Sequence, residues 1–322
     1  MKNLPENIIY ATSKELERTI HEFQDLDYNT IEVDSIKGLL KPLLSGHFAV
    51  SSPIIPLNHK FYRGVKRKEK PQNICELTYP PPANVKSFQR ANRPGESMFY
   101  CSTSRNTPAY ELSLVQGDYV AISRWRNSKR MVFNNVGYTQ EIFVDKGADR
   151  ICPNWGDEKD PPSWATLENQ IVTRFLAKEF TKIVPIGKEV HYKTSVAIAE
   201  ELTQRDITFP NGKKIKFAGL LYPTIAMRAN DDNLAVKPEF VDLHFKLDQV
   251  EYLRVDTHPD TEYVYNVTIL DFANTFSPDG TILWKGRRSQ WQLRPGERLN
   301  LKIENGCMVA RNSAGEIVDP EF

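Results

Sequence analysis

Prolines and tight-turn signals divide the stretch 61–112 into short pieces, and this feature limits the fold more than any other. Three consecutive prolines at 80–82 exclude both an ordinary helix and a central strand at that point. Pro94-Gly95 is a tight-turn signal. The segment 98–102 that follows has the apolar character of a short buried strand. The stretch therefore predicts short elements joined by loops, which can bring polar side chains from several elements into one cleft.

A basic run at 58–70 precedes the prolines. It holds six Lys or Arg residues against one Glu, a local net charge of +5. Such a run is either a solvated loop or a phosphate-binding surface, and a phosphate site needs an arginine that packing holds in place. Arg63 follows the apolar pair Phe61-Tyr62, which can fix its position, so Arg63 is the candidate phosphate ligand.

Glu111 is the candidate carboxylate of this stretch. Thr107-Pro108 predicts a helix start, with Thr107 as the N-cap and Pro108 at the first helical position. Glu111 then falls in the first turn, where a favourable interaction with the helix dipole and a catalytic role are both open explanations. Further along, Tyr222-Pro223-Thr224 ends an apolar strand, and the Thr224 hydroxyl is either a ligand-binding group or a local turn cap.

Composition limits the class of protein more than it identifies a function. The 322 residues are 40% hydrophobic and 26% charged, enough for a sizeable core without disulfides or metals. The net charge of +1 gives no overall preference for nucleic acid or for an anionic membrane. The four cysteines are scattered, as is usual in a reducing compartment, and no apolar run approaches the roughly 20 residues of a membrane span. We therefore expect a cytoplasmic protein.

Patterning divides the chain into an N-terminal helical arm at 1–57, a core at 58–244 and a β-rich C-terminal extension at 245–322. In the arm, Thr12 and Glu15 fit a capping box, and the apolar segment Ile36–Leu44 is expected to break at Pro42. A helix is expected from Ser163, with the buried stripe Trp164, Leu167, Ile171 and Phe175, and a second helix at 192–205. Strands are expected at 119–122, 131–133, 141–144, 217–225, 245–255, 263–272 and 281–284.

Other candidate sites are weaker. The segment 284–291 alternates basic and aromatic residues, which suits either stacking on nucleic acid or amphipathic surface strands, and we favour the strands. Acidic residues and one His alternate at 256–262, a weak metal-site pattern, and the six histidines of the chain are dispersed. No phosphate-binding loop or glycine-rich dinucleotide motif is present. We predict no metal site and do not expect nucleic acid as a partner.

Four short blocks, in this order, resemble the RES domain, which is named for an Arg, a Glu and a Ser. The blocks are Tyr62-Arg63, then Arg90-Ala91-Asn92-Arg93-Pro94-Gly95 leading to Phe99-Tyr100, then Thr107-Pro108-Ala109-Tyr110-Glu111, and finally Gly219-Leu220-Leu221-Tyr222-Pro223-Thr224. The resemblance covers roughly 61–238. Thr224 stands where the family has its signature serine, and Gln89 replaces a commoner glycine before Arg90.

The resemblance implies an α+β fold like that of ADP-ribosyltransferase toxins, with two small packed sheets that form a cleft. The helical arm and the β-rich tail lie outside this shared core. The resemblance also implies NAD as the substrate. Members of the family are typically bacterial toxins that deplete NAD and are held inactive by a cognate antitoxin. An antitoxin and a second copy of the chain are therefore partners to consider beside NAD.

On this resemblance we expect an NAD glycohydrolase or phosphorylase that breaks the nicotinamide–ribose bond. Two alternatives stay open, which are ADP-ribosyl transfer to a macromolecule and a catalytically weak module that binds NAD or serves assembly. The predicted catalytic residues are Glu111, Arg63 and Thr224, and the predicted substrate-binding residues are Tyr62, Arg90, Asn92, Tyr100 and Tyr222. In this scheme Arg63 and Arg90 hold the diphosphate, Tyr100 with Tyr62 stacks on nicotinamide, and Thr224 orients Glu111 or a ribose hydroxyl.

Overall fold

The computed structural model describes residues 11–45, 52–150, 152, 166–204, 207–208, 212, 214–257, 264–286 and 288–293. It also gives the backbone of strands within 300–318. In these parts the protein is a mixed α+β structure with seven α-helices and a large mixed sheet. The α+β class expected from the sequence is therefore confirmed.

The elements are short, as the turn signals predict. The helices are α1 (Ser13–Glu22), α2 (Val33–Leu44), α3 (Thr107–Glu111), α4 (Gln140–Lys146), α5 (Leu167–Phe180), α6 (Lys193–Gln204) and α7 (Pro238–His244). The first nine strands are β1 (Ile54–Ile55), β2 (Lys60–Lys66), β3 (Phe99–Ser102), β4 (Tyr119–Asn127), β5 (Met131–Asn135), β6 (Ile207–Thr208), β7 (Lys214–Ile215), β8 (Phe217–Pro223) and β9 (Asp232–Val236). The others are β10 (Phe245–Val255), β11 (Tyr265–Ala273), β12 (Ser289–Leu293), β13 (Asn300–Glu304), β14 (Cys307–Arg311) and β15 (Ile317–Val318).

Ten strands form one sheet in the order β1-β5-β8-β9-β3-β2-β4-β10-β11-β12, in which only β5 and β8 run parallel. At its middle, β2 and β3 share a single residue pair, Tyr62 opposite Ser102. The sheet is thus two five-stranded halves joined at one point. Strand β10 pairs with β4 from Phe245 to Arg254, so strands on both sides of the predicted boundary at residue 244 belong to one sheet. Strands β13 to β15 form a separate three-stranded sheet.

The N-terminal arm packs onto the sheet as part of one hydrophobic cluster. The capping box of α1 is confirmed, because Thr12 and Glu15 each accept a hydrogen bond from the other's backbone. The predicted break at Pro42 is wrong, since α2 continues through it. Leu40 and Leu43, on either side, are fully buried. Their burial and that of Ile36, at roughly 1.5–3 kcal/mol each, outweighs the roughly 3 kcal/mol that an internal proline costs.

This cluster joins the arm to α5, α6 and the first half of the sheet. Leu16, Ile36 and Leu40 of the arm lie in it with Val172 and Phe180 of α5. Val196 and Ile198 of α6, and Leu220 and Tyr222 of β8, complete the set. The arm therefore covers one face of the core instead of forming a separate unit.

Two patterns in the middle of the chain led to wrong predictions. The predicted strand at 141–144 is helix α4, because Thr139 caps its first turn and Gly147 ends it in the left-handed conformation. The predicted stripe on α5 is only partly right. Phe175 is buried, but Leu167 is exposed and the buried face runs instead through Val172, Leu176 and Phe180. Trp164 lies outside the described residues.

The C-terminal predictions are mixed. Strands β10 and β11 lie close to their predicted ranges, but 281–284 forms only isolated bridges. The acidic turn is described only at Asp256, which pairs with Arg254, and 258–262 lies outside the described residues. None of the helices in the described parts combines the length and the apolar composition that crossing a bilayer requires. The same parts contain no group of three or more His, Cys, Asp or Glu side chains arranged to bind a metal ion.

Candidate active site

Glu111 is the last residue of the short helix α3, close to the first-turn position that the sequence predicts. The helix has only five residues, its N-cap is Asn106 instead of Thr107, and the chain reverses at Ser113, which has a φ of 45°. A carboxylate at the C-terminal end of a helix is not favoured by the helix dipole. The dipole therefore does not explain why a Glu is found here.

The Glu111 carboxylate is fixed through one oxygen. Its Oε1 accepts hydrogen bonds from the Thr224 hydroxyl and from Asn233 Nδ2, the second at 2.6 Å. Both donors are buried, Thr224 completely, whereas Glu111 is exposed. The described residues place no hydrogen-bond donor on Oε2. The fold thus presents an exposed Glu whose carboxylate is fixed through one oxygen, while the other oxygen has no hydrogen-bond donor among the described residues.

The β8–β9 hairpin supplies both donors. Its loop is closed by two backbone hydrogen bonds, from Thr224 N to Asp231 O at 2.9 Å and from Ala229 N to Thr224 O at 2.7 Å. Ala229 takes a left-handed conformation with a φ of 60°, which lets the chain turn back so tightly. Strand pairing then places Asn233 opposite Tyr222. The hydroxyl and the amide therefore reach Glu111 from adjacent strands.

The same hairpin also holds the start of α3. The Asp231 carboxylate accepts hydrogen bonds from Thr103 Oγ1 at 2.7 Å and from the Thr107 hydroxyl. Asp231 is buried, and this burial raises the pKa of its carboxyl although the two hydroxyls act against it. Helix α3 is thus fixed to the hairpin at both ends, which limits how far Glu111 can move.

Tyr222 lies close to Glu111, and Tyr100 and Arg90 lie close to Tyr222. Tyr222 is buried against Phe180, with ring centroids 5.2 Å apart. Burial raises its pKa well above the usual value, and the charges of Tyr100, Glu111 and Arg90 act on it as well. Arg90 donates to the backbone carbonyls of Phe180 and Lys182 at the end of α5. Its other guanidinium donors have no partner among the described residues.

Asn92 and Tyr100 shape the loop that carries Arg90. The Tyr100 hydroxyl donates to Asn92 Oδ1 at 2.7 Å and accepts from Ala91 N at 2.9 Å. Asn92 Nδ2 donates to the carbonyls of Arg93 and Glu96 at 3.2 and 2.9 Å. The polar atoms of both side chains are thus engaged inside the loop. Burial also raises the pKa of Tyr100.

Arg63 lies apart from Glu111. Its neighbours on β2, Tyr62 and Gly64, face α3, so Arg63 leaves the strand on the other side and lies over the Phe99 ring at 5.4 Å. Its Nε donates to Thr78 O at 3.2 Å and its Nη1 to Tyr100 O at 2.9 Å, across the junction between the two halves of the sheet. Burial lowers the pKa of Arg63 to about 10. Among the described residues, no hydrogen bond, ion pair or ring contact joins Arg63 to Glu111.

Tyr62 lies on the same face of the sheet as the partners of Glu111. Strand pairing sets Tyr222 beside Asn233, Asn233 beside Ser102 and Ser102 beside Tyr62. Successive pairs share one face, so these four residues form a polar row across the junction. Burial raises the pKa of Tyr62. The row runs across the sheet from the hydrogen-bond partners of Glu111 toward β4, and its members Asn233 and Ser102 are buried.

The sequence did not single out Asn233 or Asp231. Both lie in the polar segment that follows Tyr222-Pro223-Thr224. Had that segment been read as the turn of a hairpin, antiparallel pairing would have set one of its polar residues opposite Tyr222. The register depends on the loop conformation at 228–229, which the residue types do not reveal.

Together, the structure brings Glu111, Thr224, Asn233 and Tyr222 into one cluster. Arg90, Asn92 and Tyr100 lie beside it, and Arg63 lies at the sheet junction. A fixed carboxylate with a free oxygen can accept a hydrogen bond from a ligand hydroxyl and can oppose a positive charge that develops on the ligand.

Comparison of the chain with models of known protein families, with curated proteins and with solved structures finds no match. The functional argument therefore depends on the geometry of the site.

Proposed function

We propose that the protein cleaves NAD at the bond between nicotinamide and ribose. The observation that carries the proposal is the Glu111 carboxylate, which Thr224 and Asn233 fix through Oε1 and which is open to solvent. The reaction needs a negative group that is already in place when positive charge develops on the ribose. A fixed carboxylate meets this need without reorganising during the reaction.

The chemistry is bond cleavage with a cationic leaving group. As the C–N bond breaks, its electron pair goes to the nicotinamide ring, which leaves neutral, and the ribose carbon becomes electron-poor. In the proposal, the free Oε2 of Glu111 accepts a hydrogen bond from a ribose hydroxyl and opposes the positive charge. Water or phosphate then bonds to the ribose carbon and loses a proton.

The tyrosines and arginines hold the substrate in this proposal. Tyr222 lies beside Glu111 with Tyr100 next to it, and the proposal places the nicotinamide ring against Tyr100 and Tyr62. Arg90 keeps guanidinium donors that are not taken by the carbonyls it binds, and these suit oxygens of the substrate. Arg63 lies on the other face of β2 and acts through the sheet junction that it bridges. Asn92 acts through the loop that positions Arg90.

The sheet supports the ADP-ribosyltransferase-like architecture of the proposal. Its two five-stranded halves share one residue pair between β2 and β3, and Arg63 bridges the strands beside that pair. A sheet that is nearly divided at this point is compatible with two small sheets that flank a cleft. The proposal includes a toxin role and a cognate antitoxin, which the resemblance to the RES domain implies, and a cytoplasmic location, for which the scattered cysteines argue.

Purified protein incubated with NAD tests the proposal. Nicotinamide and ADP-ribose are measured together with the incorporation of label from radioactive NAD into protein. Nicotinamide release with ADP-ribose, or with its phosphate ester when phosphate is supplied, supports cleavage. Label found in protein in equal amount to the nicotinamide released shows transfer to a macromolecule instead. No NAD consumption by protein shown by mass spectrometry to be free of a co-purified inhibitor overturns both.

A further inference from the structure

A row of positive residues crosses three neighbouring strands beside the candidate active site. Lys60 on β2 lies directly opposite Arg126 on β4, and Arg126 lies directly opposite Lys246 on β10. Arg124 lies two residues along β4 on the same face, opposite Tyr62. The alternation of side chains supports this placement, because the neighbours Phe61, Trp125 and Leu247 are buried together on the other face.

This arrangement costs stability. Like charges directly opposite each other in a sheet are destabilising, and the row contains two such pairs. Burial lowers the pKa of Lys60, and the charges of Arg124 and Arg126 lower it further. Negative charge on the row offsets this cost, and the Asp248 carboxylate acts on the pKa of Lys60 in the opposite direction.

The protein itself supplies little negative charge here. Asp248 accepts hydrogen bonds from Arg124 Nε at 2.7 Å and from Arg126 Nε at 2.9 Å, so one carboxylate serves two arginines. Glu251, further along β10, is bound by Arg105 at 2.7 Å. Neither Lys60 nor Lys246 has a carboxylate within ion-pair distance among the described residues. The arginines are thus fixed in place, while the two lysines stay available.

We propose that Lys60, Arg124, Arg126 and Lys246 form a site for the phosphate groups of a nucleotide. Neighbouring strands are about 4.8 Å apart, so the row spans about 10 Å, which suits the two linked phosphates of a diphosphate. Fixed arginine forks with lysines beside them are the usual ligands of phosphate oxygens. The overall charge of +1 shows that the preference is local.

The position of the row links it to the candidate active site. From Asn233, which binds Glu111, strand pairing leads through the buried Ser102 and through Tyr62 to Arg124 on the same face of the sheet. This path covers three strand spacings, about 14 Å, and an extended dinucleotide is longer than that. The phosphates can therefore be those of the substrate, an assignment that depends on the proposed function, or those of a separate nucleotide.

Titration with inorganic pyrophosphate tests the site without any turnover. The test variant is Lys60→Gln with Lys246→Gln, because within the described parts of the chain neither lysine has an ion-pair partner that its loss would leave unpaired. The matched control is Lys86→Gln with Lys214→Gln, which removes the same charge from exposed positions elsewhere. At fixed low ionic strength, calorimetry should show at least tenfold weaker pyrophosphate binding for the test variant and unchanged binding for the control. Equal binding by all three proteins would overturn the site.

Thermal unfolding without added anion tests whether the like charges of the row destabilise the fold. Relief of the like-charge pairs should raise the melting temperature of the test variant by about 1–3 °C. A lower melting temperature than that of the control would mean that the lysines stabilise the fold, and the proposal would fail.

Kinetics with NAD identify the source of the phosphates. If they belong to the substrate, KM for NAD rises about tenfold in the test variant while kcat is kept. If they belong to a separate nucleotide, KM is unchanged and ADP still binds the wild type more tightly than the test variant. The titration needs no catalysis. If the protein binds pyrophosphate through the row but does not consume NAD, the proposed function is refuted and the phosphate site is not.

Discussion

Arg63 and Glu111 are the two charged residues for which the sequence argued most directly, and the fold places them in opposite surroundings. The Nε and Nη1 of Arg63 donate hydrogen bonds to two backbone carbonyls, and its guanidinium lies over an aromatic ring. Glu111 is an exposed residue held through one oxygen by buried donors, and its other oxygen has no donor among the described residues. The Arg63 guanidinium therefore stabilises the fold, whereas the fold holds the Glu111 carboxylate in place for a ligand.

This difference separates a charged residue that stabilises the fold from a charged residue that acts in a binding or catalytic site. Removing a group that satisfies buried carbonyls should reduce stability. Removing a group that is held in place but keeps an oxygen or nitrogen free for a ligand should reduce activity and leave stability nearly unchanged. Substitutions of Glu111, Arg63, Thr224 and Asp231 test this contrast.

Glu111→Gln should lower the rate of nicotinamide release by about 10²–10³-fold, because the fixed negative charge opposite the ribose is lost. The amide keeps the size of the side chain and an oxygen for Thr224 and Asn233. The midpoint of urea unfolding should therefore stay close to that of wild type. Glu17→Gln on exposed α1 is the matched control for both measurements. Full activity of Glu111→Gln would remove Glu111 from the site.

Arg63→Met should cost about 2 kcal/mol in the free energy of unfolding, measured in urea. The change keeps apolar volume over Phe99 but leaves the carbonyls of Thr78 and Tyr100 without the guanidinium that bridges them. Arg130→Met, at an exposed position, should cost less than about 0.5 kcal/mol. If Arg63→Met is as stable as the control and only KM for NAD rises, the contrast with Glu111 breaks down.

Thr224→Val should lower kcat about tenfold, because it removes the hydroxyl that fixes Glu111 but keeps the shape of the side chain. Thr224→Ser keeps the hydroxyl and should retain most of the activity. It should cost about 1 kcal/mol of stability, since it deletes a methyl group at a fully buried position. Equal activity of the two variants would show that the bond to Glu111 has no catalytic importance.

Asp231→Asn should change how stability depends on pH. Burial raises the folded-state pKa of Asp231, so the folded protein binds its proton more tightly than the unfolded chain does. Wild type therefore loses stability as pH rises from the unfolded value of about 3.9 through the raised folded value. Asn does not titrate, so the stability of the variant relative to wild type should increase through this window and then level off. Urea unfolding at a series of pH values measures the difference, and a flat or falling difference would contradict the buried-charge interpretation.

Local signals predicted several elements well. Thr12 and Glu15 predict the capping box of α1, and the apolar runs that become β8, β10 and β11 lie close to where they were expected. These signals are short-range, since the residues that determine the structure are neighbours in the chain. The segment 141–144 failed for the opposite reason. Its alternation suits a strand, and only the cap at Thr139 and the left-handed Gly147 favour the helix.

The candidate site was only partly predictable. The sequence indicated Glu111 and Thr224, and the structure joins them by a hydrogen bond. It could not indicate Asn233, whose position depends on the register of the β8–β9 hairpin, or the row on β2, β4 and β10. Nor could it show that Arg63 points away from α3, because a one-residue change of register moves a side chain to the other face of a sheet. Contacts between residues that strand pairing brings together cannot be predicted from the residues next to them in the sequence.

Strand β4 also has a consequence for how the chain is made. Its two neighbours are β2, which precedes it, and β10, which follows only after the whole β5–α7 region. During synthesis, the backbone N–H and C=O groups on one edge of β4 therefore stay unpaired until β10 has left the ribosome. An unpaired strand edge is a template for association with other chains. Nascent chains that stall before Phe245 should be the aggregation-prone species of this protein.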